Sequence, residues 1–169
     1  MFERHDGKRQ VVLIEWKYTE SYSPIPLAIS KTGTSRVDIY RPLFEAADCP
    51  IKRDLLPKFE ELFFEPFYQL MRQQLLANEM ENAKELGADI VSLMHISPTH
   101  NIDFRRITSP GLSDLGISAI DVWGKLVAKQ DRFLGLSTEK LFGRATPELV
   151  AEMCDWYNYI CTRYPWVKE

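Results

Sequence analysis

The first apolar run of the chain covers residues 11–14 and consists of β-branched residues and leucine. Just before it stands Asp6-Gly7, a preferred dipeptide for a two-residue hairpin turn. The pattern predicts a β-hairpin whose second strand is buried on both faces and lies inside a sheet. With Asp6 and Gly7 as the turn, His5 pairs with Lys8. In each facing pair of this hairpin, the two residue numbers then add up to thirteen.

The next part of the chain, residues 21–57, is rich in residues that interrupt regular structure. These are Pro24, Pro26, Gly33, Pro42, Pro50 and Pro57. Proline lacks a backbone N–H and fixes φ, so neither a long helix nor a central strand is expected here. A short strand at residues 37–40 is the one regular element that the pattern suggests.

Residues 57–86 have the pattern of a helix that kinks or restarts at Pro66 and stops at Gly87. Its apolar positions do not form a single stripe. One face carries Phe67, Met71 and Leu75, and another carries Gln69, Gln73, Leu76 and Met80. A helix with this distribution is expected to pack between two layers.

The second half of the chain contains a buried strand, a loop and two helices by the same criteria. Residues 88–96 (ADIVSLMHI) predict the strand, and residues 98–116 predict a polar loop. Helical spacing relates Ala119, Val122, Trp123, Leu126 and Val127, and again Leu149, Val150, Met153, Trp156, Tyr157, Ile160 and Tyr164. Both helices are predicted to lie in the core, and Thr146 before Pro147 would cap the second.

The length and composition of the chain fit one domain over residues 1–169, with a core in 1–100 and a helical part in 117–166. The chain has 169 residues, of which 45% are hydrophobic, enough to bury a sizeable core. No apolar stretch reaches the length of a membrane span, and the N-terminus has no apolar signal core, so a cytoplasmic protein with no membrane partner is expected. The three cysteines have neither zinc nor disulfide spacing.

The charge distribution neither requires nor excludes a nucleic-acid partner. The formal net charge is −3, which lacks the basic excess of many DNA-binding proteins. Basic side chains are nevertheless concentrated in residues 31–53, among them Arg36 and Arg41. These two arginines are candidates for substrate contact or site support, and a solvated loop is an equally good interpretation.

Glu15 and Lys17 carry the clearest candidate chemistry. They are two residues apart on a predicted strand, so both side chains leave one face, while Trp16 and Tyr18 leave the other. Phosphodiester hydrolysis uses a divalent cation that carboxylates bind, and a lysine can stabilise the charged transition state. A charged pair on a buried strand is costly unless it is used or matched. From the residues alone, a structural ion pair remains the alternative.

The segment VVLIEWKYTESY resembles the PD-(D/E)xK nuclease superfamily. Together with YRPLF (40–44) and EPFYQLMRQQLLANEMENA (65–83), it is similar to a group of bacterial restriction-endonuclease-like proteins over about residues 1–100. The resemblance implies an α/β fold, with a mixed central sheet flanked by helices. It implies DNA as the partner and Mg²⁺ or Mn²⁺ as the cofactor.

The same resemblance assigns roles to individual residues. Glu15 would bind the metal, Trp16 would offer its backbone carbonyl beside it, and Lys17 would be the catalytic lysine. Some superfamily members carry a glutamine on the following helix. Gln69 and Gln73, one turn apart, could therefore face the site or the substrate, although amides satisfied by packing are the alternative.

The superfamily also requires an aspartate on the strand before Glu-x-Lys, and here the sequence departs from the pattern. Asp6 is the one upstream aspartate and belongs to the predicted turn, roughly 20 Å from Glu15 at about 3.3 Å per residue. Three explanations stay open: the natural protein begins upstream, another carboxylate substitutes, or the site is inactive. We favour the first, because Met1 falls within a strand and the usual N-terminal helix is absent. Self-association into a homo-oligomer would be one way to cover the exposed surface.

Two functions follow as expectations. The first is a metal-dependent endo- or exodeoxyribonuclease, inactive in this form if the metal-binding aspartate is missing. The second is a nuclease-like module that binds nucleic acid or a protein without cutting. His95 and His100 flank a predicted strand end and could approach a substrate, but histidines with satisfied hydrogen bonds at a strand boundary are the favoured interpretation.

Overall fold

A mixed four-stranded β-sheet forms the centre of the molecule. The computed structural model describes residues 1–145 and 147–165, so the predicted cap Thr146 lies outside the described residues. The sheet has the order β1-β2-β3-β4, formed by Phe2–Glu3, Arg9–Trp16, Ile90–Ser97 and Phe133–Ser137. β1 is antiparallel to β2, and β3 and β4 continue parallel to it. The predicted α/β class with a mixed sheet flanked by helices is confirmed.

The hairpin between β1 and β2 has a three-residue turn. The N–H of Arg4 donates to the carbonyl of Lys8 and the N–H of Gly7 donates to the carbonyl of Arg4, both at 2.9 Å. Phe2 therefore faces Gln10, and the two residue numbers of each facing pair add up to twelve instead of thirteen. The two-residue turn was wrong by one position: it would need a positive φ at both Asp6 and Gly7, and of the two only Gly7 has one, at 76°, which fits a three-residue hairpin with a glycine bulge.

β2 is an inner strand that is covered well on one face. Val11 packs against α2 (Phe67–Asn82) together with Leu13, whereas Ile14 on the opposite face is 61% exposed. The expectation of burial on both faces was therefore wrong. An apolar run indicates a strand, but whether a helix covers each face depends on the rest of the fold.

The proline-rich segment contains a helix where a short strand was expected. α1 spans Arg36–Glu45 with Pro42 inside it, and Ser35 caps it by accepting the N–H of Asp38 at 3.2 Å. Buried Phe44 anchors its last turn. The strand at residues 37–40 was wrong because a capping serine and an apolar helix face outweigh a single interior proline.

α2 starts where the restart at Pro66 was predicted. Its N-cap is Pro66, which follows a cis peptide bond from Glu65. The face expected to be apolar is enclosed: Phe67, Met71 and Leu75 are at most 2% exposed. The helix ends at Asn82, five residues before the predicted stop at Gly87.

The predicted strand and helix of the middle region are both present. β3 runs from Ile90 to Ser97, and α4 spans Ala119–Leu126 with Trp123 fully buried. The predicted polar loop between them contains α3 (Ile102–Arg105) and a 3-10 turn at Pro110–Leu115. β4 was not predicted, because its five residues include a glycine and alternate poorly.

The C-terminal part differs from the predicted long core helix. α6 (Pro147–Glu152) and α7 (Cys154–Arg163) replace it, with a break at Met153, and the short helix α5 (Thr138–Phe142) precedes them. Of the apolar positions that predicted the core helix, only Ile160 is buried among the described residues. Nothing among the described helices is long and apolar enough to cross a membrane.

Candidate active site

Glu15 and Lys17 meet at the carboxyl end of β2, on the face covered by α2. Lys17 continues the ladder beyond the strand, since its N–H donates to the carbonyl of Ile96 at 2.8 Å. Its Nζ lies 2.8 Å from Oε1 of Glu15, and the side chains are 12% and 30% exposed respectively. The alternation along the strand therefore brings the two predicted residues together.

A second carboxylate holds the Lys17 ammonium. Oε1 of Glu20 lies 3.5 Å from Nζ. Burial lowers the pKa of Lys17, but the hydrogen bond to Glu15 and the nearby negative charges outweigh it, so the pKa is raised. Lys17 is therefore a cation and a hydrogen-bond donor at neutral pH, and not a base.

Gln69 reaches the same carboxylate from the first turn of α2. Its Nε2 donates to Oε1 of Glu15 at 3.4 Å, and its Oε1 accepts from the hydroxyl of Tyr22 at 3.5 Å. Burial raises the pKa of Tyr22 to about 12, so the phenol keeps its proton. These long bonds orient an amide toward Glu15, as the resemblance suggested for one of the two glutamines.

Gln73 lies one turn further along α2 and has no hydrogen bond to Glu15 or Lys17 among the described residues. Its Oε1 is enclosed and has no partner there. Together with Gln69 it lines a pocket of about 390 Å³ beside α1. Gln73 thus borders an open space next to the site, and its role stays a prediction.

Glu65 is a site residue that the sequence did not single out. Its Oε2 is buried and has no hydrogen-bond partner among the described residues. Burial raises the pKa of Glu65, against the opposing effects of the Gln69 N–H and the positive charges of Lys17 and other residues. A usable signal was its position, just ahead of the helix that carries Gln69 and within the segment that resembles the family.

His95 stands next to Glu15 on β3, in register with it. It is only 2% exposed, and neither ring nitrogen has a partner among the described residues. The ring stacks on Phe104 with centroids 5.0 Å apart. Burial lowers the pKa of His95 to about 4, with Glu15 opposing the shift. The expected satisfied histidine was therefore wrong.

The two candidate arginines are engaged in structural contacts. Arg36 donates to the carbonyl of Leu27 at 3.0 Å and lies over the ring of Tyr68, 5.3 Å from its centroid. Arg41 pairs with Glu60 at 3.1 Å. Both contacts hold α1 in place, and a substrate role for either arginine stays a prediction.

The backbone of Trp16 faces the free side of β2. Because N–H and C=O groups alternate in direction along a strand, and those of Lys17 point to β3, those of Trp16 point away from β3. In the described structure, the residues of β2 that pair with β1 are Arg9 and Gln10. The carbonyl of Trp16 therefore lies on the side of β2 where, beyond Gln10, no described residue of β1 pairs with it.

Few side chains among the described residues are placed to bind a metal ion. No group of three or more His, Cys, Asp or Glu side chains among them is placed to hold a metal ion. Asp6 lies in the turn, where its Oδ1 accepts the N–H of Lys8 at 3.2 Å. Mg²⁺ commonly uses one or two carboxylates and completes its shell with water and phosphate oxygens. The carboxylate of Glu15 and the carbonyl of Trp16 fit such a partial shell.

Comparison with known proteins gives one match. Residues 1–165 match the model of the family REase-ARP, described as Restriction Endonuclease associating with ARP. No curated protein and no solved structure matches the chain. The family match extends beyond residues 1–100, where the sequence resemblance lies, and includes the C-terminal helices.

Proposed function

We propose that this chain, which belongs to the REase-ARP family of restriction endonucleases, hydrolyses DNA phosphodiester bonds with Mg²⁺ or Mn²⁺. Membership of the family supports a nuclease-related function and a nucleic-acid partner. The observation that carries the proposal is the 2.8 Å contact between Lys17 and Glu15 at the end of an inner strand. Association with ARP is proposed on the family description alone.

Each residue of the site has a distinct task in this proposal. A divalent ion, when bound, lowers the pKa of a water molecule and neutralises charge on the phosphate. Glu15 binds that ion, and the Trp16 carbonyl offers a second oxygen. Lys17, held as an ammonium, donates to a phosphate oxygen as negative charge develops. Gln69 keeps the carboxylate of Glu15 in place.

The proposal is tested by cleavage of supercoiled and linear DNA in Mg²⁺ or Mn²⁺. Lys17→Ala and Glu15→Gln are each expected to lower the rate by about 100-fold or more, the usual effect of removing one transition-state contact. Lys8→Ala is the matched control, because Lys8 lies beyond the opposite end of β2 and should leave the rate unchanged. A wild-type protein that cuts with neither metal, or a Lys17→Ala protein as active as wild type, contradicts the proposal.

A module that binds DNA without cutting is the second candidate. The absence of a three-ligand metal cluster among the described residues favours it. Such a module would bind DNA equally well with Mg²⁺ and with EDTA, and its affinity would fall steeply with salt. Metal-dependent tightening of DNA binding would favour the nuclease.

A further inference from the structure

A pocket opens on the face of β2 opposite to Glu15 and Lys17. Its cavity volume is about 270 Å³, and its lining residues are Trp16, Tyr18, Thr138, Ile160 and Tyr164. Trp16 and Tyr18 alternate along the chain with the two site residues. The same strand end therefore carries hydrolytic groups on one face and this aromatic pocket on the other.

Aromatic rings form the walls of the aromatic pocket. Tyr18 and Tyr164 contact each other edge to face, with centroids 5.4 Å apart, and Trp16 lies 5.9 Å from Phe142. Trp16 is 48% exposed and Tyr18 is 45% exposed, so part of each ring faces solvent. Ring faces of this kind bind planar aromatic groups by stacking.

Thr138 gives the aromatic pocket a specific polar group. It is 2% exposed, and its hydroxyl has no hydrogen-bond partner among the described residues. A buried hydroxyl without a partner is costly, so such groups commonly bind a ligand or water. Since a hydroxyl can both donate and accept, it suits the amino and carbonyl groups of a heterocyclic base.

A positive charge stands beside the aromatic pocket. The guanidinium of Arg163 lies 5.9 Å from the centroid of the Tyr164 ring. A cation next to a stacking surface is the combination that proteins use to bind single-stranded nucleic acid, with phosphate on the cation and base on the ring.

We propose that the aromatic pocket takes one unstacked nucleobase, and that the chain binds single-stranded DNA in preference to a closed duplex. Its volume lies just below the roughly 300 Å³ at which small-ligand pockets begin, which suits a planar ring rather than a whole nucleotide. Bases in a duplex are stacked and cannot enter it. The inference deepens the proposed function, since it names the strandedness of the substrate and rests on DNA as the partner.

The test is the affinity for a fluorescein-labelled oligothymidylate and for a blunt duplex, measured by anisotropy in EDTA so that nothing is cut. Wild type is expected to bind the single strand more tightly. Tyr164→Leu should weaken that binding by roughly 10-fold, as expected for loss of one stacking surface, while Tyr164→Phe keeps it. Thr138→Val, of nearly the same shape, should weaken the binding of an oligomer by about 5-fold.

Tyr159→Leu is the matched control, because Tyr159 lies on α7, which ends just before Tyr164, is 62% exposed and does not line the pocket. Equal affinity of wild type for single strand and duplex overturns the inference, whatever the variants do. So does an equal loss in Tyr164→Leu and Tyr159→Leu when both melt at the wild-type temperature.

The outcomes also separate this inference from the proposed function. If the pocket variants lose single-strand binding while wild type cuts no DNA, the aromatic pocket stands and hydrolysis fails. If wild type cuts DNA in a Lys17-dependent manner but shows no preference for single strands, hydrolysis stands and the pocket inference fails.

Discussion

The ring of His95 is buried, and neither of its nitrogens has a hydrogen bond to a described residue. It faces Glu15 in the sheet and stacks on Phe104, so the ring has an apolar side and a charged neighbour. Burial penalises the imidazolium more than the carboxylate favours it, and the pKa falls to about 4. The neutral ring is therefore part of the native state at pH 7, and protonation opposes folding.

We expect the free energy of unfolding to fall as the pH drops from 6.5 toward 4. The unfolded state binds a proton at the ordinary pKa, whereas folded His95 binds it only near pH 4. At about 1.4 kcal/mol per pH unit, the loss reaches about 3 kcal/mol. Urea unfolding in EDTA at several pH values measures it. His95→Leu should flatten the dependence, while His100→Gln, at an exposed position, should not; an unchanged slope in His95→Leu contradicts the assignment.

At the scale of elements, a glycine decides how closely α4 approaches the sheet. Gly135 of β4 faces the helix, and a Cβ atom there would overlap Cγ2 of Ile120. Gly124 of α4, in contrast, has open space where a Cβ would stand. The missing side chain at Gly135 therefore allows Ile120 of α4 to lie close to β4.

Gly135→Ala is expected to destabilise the protein by about 1–3 kcal/mol, because Ile120 and the helix must shift to admit the methyl group. Gly124→Ala serves as the control and should stabilise by about 0.5–1 kcal/mol, since it lowers the entropy cost of a helical position. Urea denaturation of the two variants and of wild type measures both changes in the free energy of unfolding. Equal effects of the same sign would contradict the packing argument.

At the scale of the whole molecule, Glu81 joins three parts of the chain. From the end of α2 it binds Arg132 before β4 at 2.7 and 3.0 Å, and it accepts the N–H of Val91 in β3 at 2.9 Å. Burial raises the pKa of Glu81, but Arg132 and the Val91 N–H outweigh it, so the pKa is lowered. The stability this provides is present above the unfolded pKa of the carboxyl and is lost as the pH falls through the folded one.

Arg132→Met is expected to cost about 2–3 kcal/mol, because it removes the closest positive charge from a largely enclosed carboxylate. Lys129→Met is the control: Lys129 lies 3.6 Å from Glu81 but is 65% exposed, so its loss should cost less than about 1 kcal/mol. Thermal unfolding at pH 7 measures the loss of stability in each of the two variants relative to wild type. A smaller cost for Arg132→Met than for Lys129→Met would show that Glu81 does not hold these elements together.

The local sequence pattern was sufficient to predict the strand that positions Glu15 and Lys17 and two of the elements around it. The apolar run of β2, the strand at β3 and the stripe of α4 each follow from alternation or helical spacing, which depend on neighbours in the chain. The contact of Glu15 with Lys17 follows in the same way, since two residues apart on a strand means one face. The relation to restriction-endonuclease-like proteins was likewise predictable from the segments around these residues.

The tertiary structure decided which of these surfaces are enclosed. Periodicity marks a face as apolar but does not say what packs on it, so exposed Ile14 and the largely uncovered α7 were both expected in the core. His95 joins the site because the sheet places it in register with Glu15, eighty residues earlier in the chain, and the burial of Glu65 likewise depends on the packing around it. The sequence by itself determined the Glu15 and Lys17 pair; only the packing of α2, β3 and the C-terminal helices around β2 decided what surrounds it.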